Sequence, residues 1–444
     1  MERFLLPELV KWRDAAKRKP LLLRGARQVG KTWLLKEFGA RYFQDCAYIR
    51  FDRARTLQAT FEREHNIQKL LTAIQLEVGF KPRPQATLIV FDEIQESPGA
   101  LASLKYFCEE APEYAIAGAG SQLRLASQAG TGFPVGKVTS LYLYPLSFLE
   151  FLTAIGQGVL TELLQSGDWQ LIGDRHEALL DFLRYYYFVG GMPEIVADYA
   201  QNGDFQRVRL LQKELLQNYR DDFGKHAPPE EGLRIGMIWD SIPRQLAKEN
   251  KKFIYSQVQP RMRGNDLLLA MQWLLEAGLL RHARQTSMPG IPLASYADGG
   301  FKAFLHDVGL LSALSNLAAK TLLEGSRVFE EFKGALTEQF VQQELMAYYG
   351  QEPFYWSSEK SHNEIDFLLE TSEAVIPLEV KAGINVKAKS LRSYCEKYRP
   401  PCAVRSSLAR RYRQVLTLPD DGFSYELLDL PLYALCQLKH ELNG

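Results

Sequence analysis

One eight-residue stretch constrains this chain more than any other: Gly25-Ala26-Arg27-Gln28-Val29-Gly30-Lys31-Thr32. An apolar run, Leu21 to Leu23, precedes it, and a helical pattern through Phe38 follows. Strand, glycine-bounded loop and helix in that order make a phosphate-binding loop in its required context. The glycines let backbone N–H groups close around phosphate oxygens, and the helix N-terminus adds its dipole. All eight residues are therefore expected to contact a nucleotide. Lys31 is expected to bridge the β- and γ-phosphates of ATP, and Thr32 to hold Mg²⁺.

A second signal completes the first. Leu88 to Phe91 form a buried apolar strand that ends in Asp92-Glu93. Carboxylates at the carboxyl end of a parallel strand sit in the ligand crevice. Asp92 fits a Mg²⁺ partner, and Glu93 fits the base that orients an attacking water. A third strand, Tyr114 to Gly120, ends at Ser121, which is placed either to sense the γ-phosphate or to cap the following helix.

The segments RGARQVGKTWL, VFDEIQ, GSQLRL, FPVGKVTSLYLYPLSFLEF, YYFVGGMPEIV, FKAFLHDVGLL and GALTEQFVQQEL run through most of residues 20 to 380. In them the chain resembles the AAA-like ATPases. More narrowly, it is similar to a prokaryotic family that joins such a domain to a C-terminal domain of unknown function. The resemblance implies ATP binding and hydrolysis, a helical lid, and an arginine supplied by a neighbouring subunit of a homo-oligomer. The segment after the third strand offers Lys137 instead of an arginine, with Arg124 and Arg27 as other candidates.

Bulk properties set limits. The 444 residues allow two to four domains, and 53 basic against 53 acidic residues exclude a globally nucleic-acid-like charge. Five scattered cysteines without CxxC spacing suit reduced thiols in a cytoplasmic protein. No apolar run approaches the roughly 20 residues of a membrane span.

The expected architecture is a multidomain α/β chain. Residues 1–150 form the AAA-like parallel sheet with helices, and 151–226 a helical lid whose aromatic run, Tyr185 to Phe188, is core. Residues 227–315 read as helices followed by a hairpin, in winged-helix order. Between 251 and 284, Lys251, Lys252, Arg261, Arg263, Arg281 and Arg284 face Asp266 and Glu276, a local excess suited to phosphate contacts with DNA. The helix before the hairpin exposes Asn265, Asp266, Gln272 and Glu276, a poor set for reading bases, so packing is the favoured role.

Residues 325–444 read as helix, three strands, helix. Asp366 lies on the second strand, Glu379-x-Lys381 on the third, and Glu338 on the preceding helix. This resembles the PD-(D/E)xK nuclease fold. The resemblance implies that Asp366, Glu379 and Glu338 share a divalent metal and that Lys381 orients the attacking water. His362 and Asn363 precede the motif, where substrate contact or a plain loop would fit. The combined expectation is an ATPase coupling nucleotide state to a nuclease-like domain acting on DNA. The alternative is a nucleotide-dependent regulator whose C-terminal domain only binds DNA or protein.

Overall fold

Continuous apolar runs make strands that are covered on both faces. Leu21–Leu23 and Leu88–Phe91 are such runs, and all of these residues are buried. In the computed structural model they lie in a five-stranded sheet built from β1 (Leu21–Arg24), β2 (Asp45–Arg50), β3 (Thr87–Asp92), β4 (Ala115–Ala119) and β5 (Thr139–Tyr142). The order is β2-β3-β4-β1-β5, and every pairing is parallel. The phosphate loop and the acidic strand end therefore open at the same edge, with β4 between them. Phe51, Phe61 and Phe91 pack edge to face at 5.3–5.6 Å under one face of this sheet. The structure describes all residues except 121–132, 227–228, 249–250, 261, 325–328, 359–362, 384–388, 420–421 and 444.

The chain divides into two units: Glu2–Tyr144 with Glu276–Leu279, and the remainder from Pro145 onward. The helices expected as a lid belong to the second unit. His176–Val189 carries the aromatic run, and Tyr186, Tyr187 and Phe188 are buried. Tyr186 and Tyr187 pack on Phe340 of the helix Phe329–Tyr349 at 5.9 and 5.3 Å.

The second unit holds an eight-stranded mixed sheet. Its strands are β6 (Leu280–Thr286), β7 (Ala297–Leu305), β8 (Phe354–Ser357), β9 (Glu364–Glu370), β10 (Val375–Val380), β11 (Cys402–Ser407), β12 (Tyr412–Thr417) and β13 (Ser424–Pro431). The order is β12-β13-β11-β10-β9-β8-β6-β7. The helices Pro229–Leu246 and Gly264–Glu276 do precede a hairpin, β6–β7. That hairpin is not a free wing, however. β6 pairs in parallel with β8, so one sheet runs through the expected boundary between residues 315 and 325. No helix among the described residues is long and apolar enough to cross a membrane.

Asp307 holds the helical part of this unit together. It caps the helix Val308–Leu314 by accepting from Leu310 N–H at 2.9 Å. Its other oxygen accepts from Gly191 N–H at 2.6 Å. Gly190 has φ +76, and a Cβ there would fall 2.2 Å from the Asp307 carboxylate. Gly190 is thus required by close approach to a buried acid as well as by backbone conformation, whereas a Cβ on Gly191 would fall 2.1 Å from the Leu146 carbonyl oxygen. Burial raises the Asp307 pKa to about 6, against the lowering effect of its N–H donors. Asp307→Ala would strand both donors. It should lower the stability of this unit by about 3 kcal/mol in urea titrations and leave ATP affinity unchanged.

Candidate functional site

The phosphate loop begins where β1 ends. Gly25 takes φ +154, and a Cβ on it would lie 2.3 Å from the Leu143 carbonyl oxygen. Gly30 takes φ +95 and opens the helix Lys31–Tyr42 without a side-chain cap. The first-turn N–H groups of that helix are left for an anion. Lys31 Nζ donates to the carbonyls of Gly25 at 3.0 Å and Ala26 at 2.7 Å, its own loop standing where phosphate oxygens would be. Burial lowers the Lys31 pKa to about 8, although Glu93 and Asp92 act to raise it. Val29 and Ala26 are buried, Arg27 is half-buried and Gln28 is exposed with φ +65.

The two oxygens expected to hold Mg²⁺ lie together. Thr32 Oγ1 donates to Asp92 Oδ2 at 2.8 Å. Tyr48 within β2 donates to the same oxygen at 2.6 Å. Glu93 sits in the left-handed region at φ +50, ψ +43, a strained conformation for a residue with a Cβ. That turn swings its carboxylate out of the strand register, where Gln95 Nε2 donates to it. The donor set suits a magnesium nucleotide: a lysine in an uncapped glycine loop, a hydroxyl beside a carboxylate, and a second carboxylate held by an amide.

Two contributors were not legible in the motifs. Tyr48 is one. Arg3, buried near the N-terminus, is the other: it donates to the Val29 carbonyl at 2.9 Å and to the Tyr144 carbonyl at 2.6 Å. Ser121 and Arg124 lie outside the described residues. Lys137 is ion-paired with Glu109 at 2.8 Å, which ties it to its own domain.

In the second unit Glu338, Asp366, Glu379 and Lys381 converge as their spacing suggested. β9 and β10 pair antiparallel with Leu378 opposite Phe367, so Glu379 falls beside Asp366 one step on. Val380 N–H donates to Asp366 Oδ2 at 2.8 Å, and Lys381 Nζ to Glu379 Oε1 at 2.5 Å. Three further residues enter the cluster. Lys302 of β7 lies 2.5 Å from Glu364, 3.3 Å from Glu338 and 3.6 Å from Asp366. Lys251 bonds the other oxygen of Glu338.

These neighbours set the protonation. Burial raises Asp366 well above the carboxylate range, and Glu338 and Glu379 add to the shift. Burial acts the same way on Glu338, but Lys251 and Lys302 outweigh it and hold that group below its usual range. Burial opposes the charge of Lys302, yet its three carboxylates raise it well above an ordinary lysine.

As arranged, this donor set does not fit a divalent metal. Both oxygens of Glu338 face ammonium groups, those of Asp366 face Lys302 and a backbone N–H, and Glu379 Oε1 faces Lys381. Glu379 Oε2 is buried with no hydrogen-bond partner. Of the six oxygens, that one is uncommitted, whereas Mg²⁺ or Ca²⁺ requires six or more ligand oxygens, counting waters. No group of three or more metal-ligating side chains is arranged for an ion among the described residues. Asn363 bonds Ser393 at 3.2 Å, and His362 lies outside the described residues.

The basic stretch of residues 251 to 284 is also largely spent internally. Lys251 is bound to Glu338, Arg281 is buried, and Arg284 lies 4.5 Å over the Phe354 ring. Arg263 and Lys252 are exposed, and Arg261 lies outside the described residues. The helix Gly264–Glu276 exposes Leu268 and Leu269 beside Asn265, Asp266 and Gln272.

Three family models match separate parts of the chain. Residues 17–152 match the family model of an AAA domain. Residues 180–321 and 333–425 match two domains of unknown function, DUF8612 and DUF4143. No curated protein matches the chain. Among solved structures, the chain is similar to the Walker-type ATPase PABY2304 of Pyrococcus abyssi, at 16% identity and a TM-score of 0.42, covering 71% of this chain and 95% of that one. It is also similar to the Aeropyrum pernix ORC1 protein in complex with DNA, at 14% identity, TM-score 0.27, 70% and 90% coverage. AMPPCP-bound DnaA from Aquifex aeolicus gives 14% identity, TM-score 0.25, 61% and 86% coverage. The segment 17–152 that matches the AAA domain model holds the parallel sheet, the phosphate loop and the acidic strand end.

Proposed function

We propose that this protein binds and hydrolyses ATP with Mg²⁺ and uses the nucleotide state to regulate a binding role of its C-terminal unit toward DNA or protein. The contact of Thr32 with Asp92, beside Lys31, carries the hydrolytic part. Magnesium bound with ATP supplies charge neutralisation at the β- and γ-phosphates. Lys31 exchanges its loop carbonyls for phosphate oxygens. Thr32 and Asp92 hold the cation side of the nucleotide. Glu93, fixed by Gln95, orients water and accepts its proton.

The regulatory part is supported by the committed state of the carboxylates around Lys302. A second reading, a nuclease-like domain acting on DNA, is favoured by one observation, the orphaned Glu379 Oε2. Incubation of the full chain with DNA and Mn²⁺, with and without ATP, separates the two. Cleavage that disappears in Asp366→Asn supports the second reading. Intact ATP turnover without cleavage supports the first.

Lys31→Ala should abolish tight nucleotide binding. Glu93→Gln should bind ATP normally and turn over on the order of 10² to 10⁴ times more slowly. Equal turnover in wild type and Glu93→Gln would remove Glu93 from the mechanism.

The low pKa of Lys31 adds a pH signature. Phosphate stabilises the ammonium form, so the bound pKa exceeds the free value of about 8, and binding takes up a proton above it. ATP affinity measured by calorimetry should therefore fall as pH rises through about 8, by up to roughly tenfold per unit. Lys31→Arg should flatten that slope.

A further inference from the structure

Among the described residues Lys302 is the only fully buried lysine, and it is placed by backbone structure. It sits in β7, and an antiparallel bridge joins Lys252 to it from the other side. Phe253 N–H donates to the Phe301 carbonyl at 2.8 Å, which zips this short segment to the strand and delivers Lys251 alongside. The Lys302 ammonium lies 5.0 Å over the Tyr355 ring. An ammonium without exposed surface is tolerable only among close anionic partners. Lys302 has two at close range, from two different elements, Glu338 on the helix Phe329–Tyr349 and Glu364 on β9, with the Asp366 carboxyl of β9 3.6 Å away.

Glu338, Asp366 and Glu379 form the pattern that suggests a divalent metal, yet their oxygens are already met by cations of the chain. We propose that Lys302, backed by Lys251, is the resident cation of this acidic cluster and takes the place of a metal ion there. The inference rests on the regulatory reading of the C-terminal unit. Its ligand is a primary ammonium supplied by the fold, and it locks β7, β9 and the Glu338 helix to one another. The site is closed to divalent ions for as long as β7 stays in the sheet.

The test uses the full chain without nucleotide, in a Thr32→Ala background so that the phosphate loop contributes no metal. Mn²⁺ binding is read by electron paramagnetic resonance and melting temperature by calorimetry. The parent should show no saturable Mn²⁺ binding and no Mn²⁺-induced rise in melting temperature. Lys302→Met should melt lower and gain one Mn²⁺ site, at least roughly tenfold tighter than any in the parent, with part of the lost melting temperature restored by Mn²⁺. If Lys302→Met does not fold, Lys302→Met/Glu338→Gln should recover soluble protein, because it removes the ionised carboxylate that Lys302 had neutralised. Failure of the double variant to recover, or a Lys302→Met protein that stays blind to Mn²⁺, overturns the proposal. So does Mn²⁺ binding by the parent that is lost in Asp366→Asn. If that binding comes without DNA cleavage, the regulatory reading survives. If cleavage accompanies it, both fail.

Discussion

A charge taken out of water has to be answered by another charge or by several oriented dipoles, and both sites in this protein are shaped by that requirement. Lys31 and Lys302 are two solutions to one problem. Lys31 is half-buried and rests on two backbone carbonyls, which are weak partners that a phosphate displaces readily. Lys302 is fully buried and rests on carboxylates, which are strong partners with no reason to release it. The first arrangement is poised for a ligand. The second is complete in itself.

The amino-terminal site also shows how a parallel sheet assembles chemistry from distant segments. β1, β3 and β2 each end at the same edge, so Lys31, Asp92 and Tyr48 meet although 61 residues separate the first two. The strain at Glu93 belongs to this economy. A left-handed backbone at the end of β3 costs about 1–2 kcal/mol and turns the side chain toward the space in front of the loop. Ile94, buried just behind it, and the short helix Ile94–Glu96 hold the turn in place.

Much of the first unit was legible because its signals are local. Gly25 to Thr32 and the strand ending in Asp92-Glu93 carry their own context within a few residues. Tyr48 was not legible, since its contact with Asp92 depends on the pairing of β2 with β3, across a loop and two helices. In the second unit the convergence of Asp366 and Glu379 followed from strand periodicity. Glu364 shares a face with Asp366 by the same rule and could have been included. Lys302 gave a fainter sign, a single lysine inside the apolar run FKAFL of a strand. Its partners lie 36 to 64 positions away, and which carboxylates they would be emerges only when β6–β7 is found to belong to the same sheet as β8–β10. Reading that hairpin as a separate wing concealed the lysine's role.

Arg3 has a mechanical meaning. Its guanidinium spans the carbonyl of Val29, inside the phosphate loop, and the carbonyl of Tyr144, the last residue of the nucleotide-binding unit before the chain passes into Pro145. Leu143, one residue earlier, presses its own carbonyl against Gly25. The exit from the first unit is thereby stitched to both ends of the loop that grips phosphate. The position of that loop is therefore tied to the backbone that carries Leu143 and Tyr144.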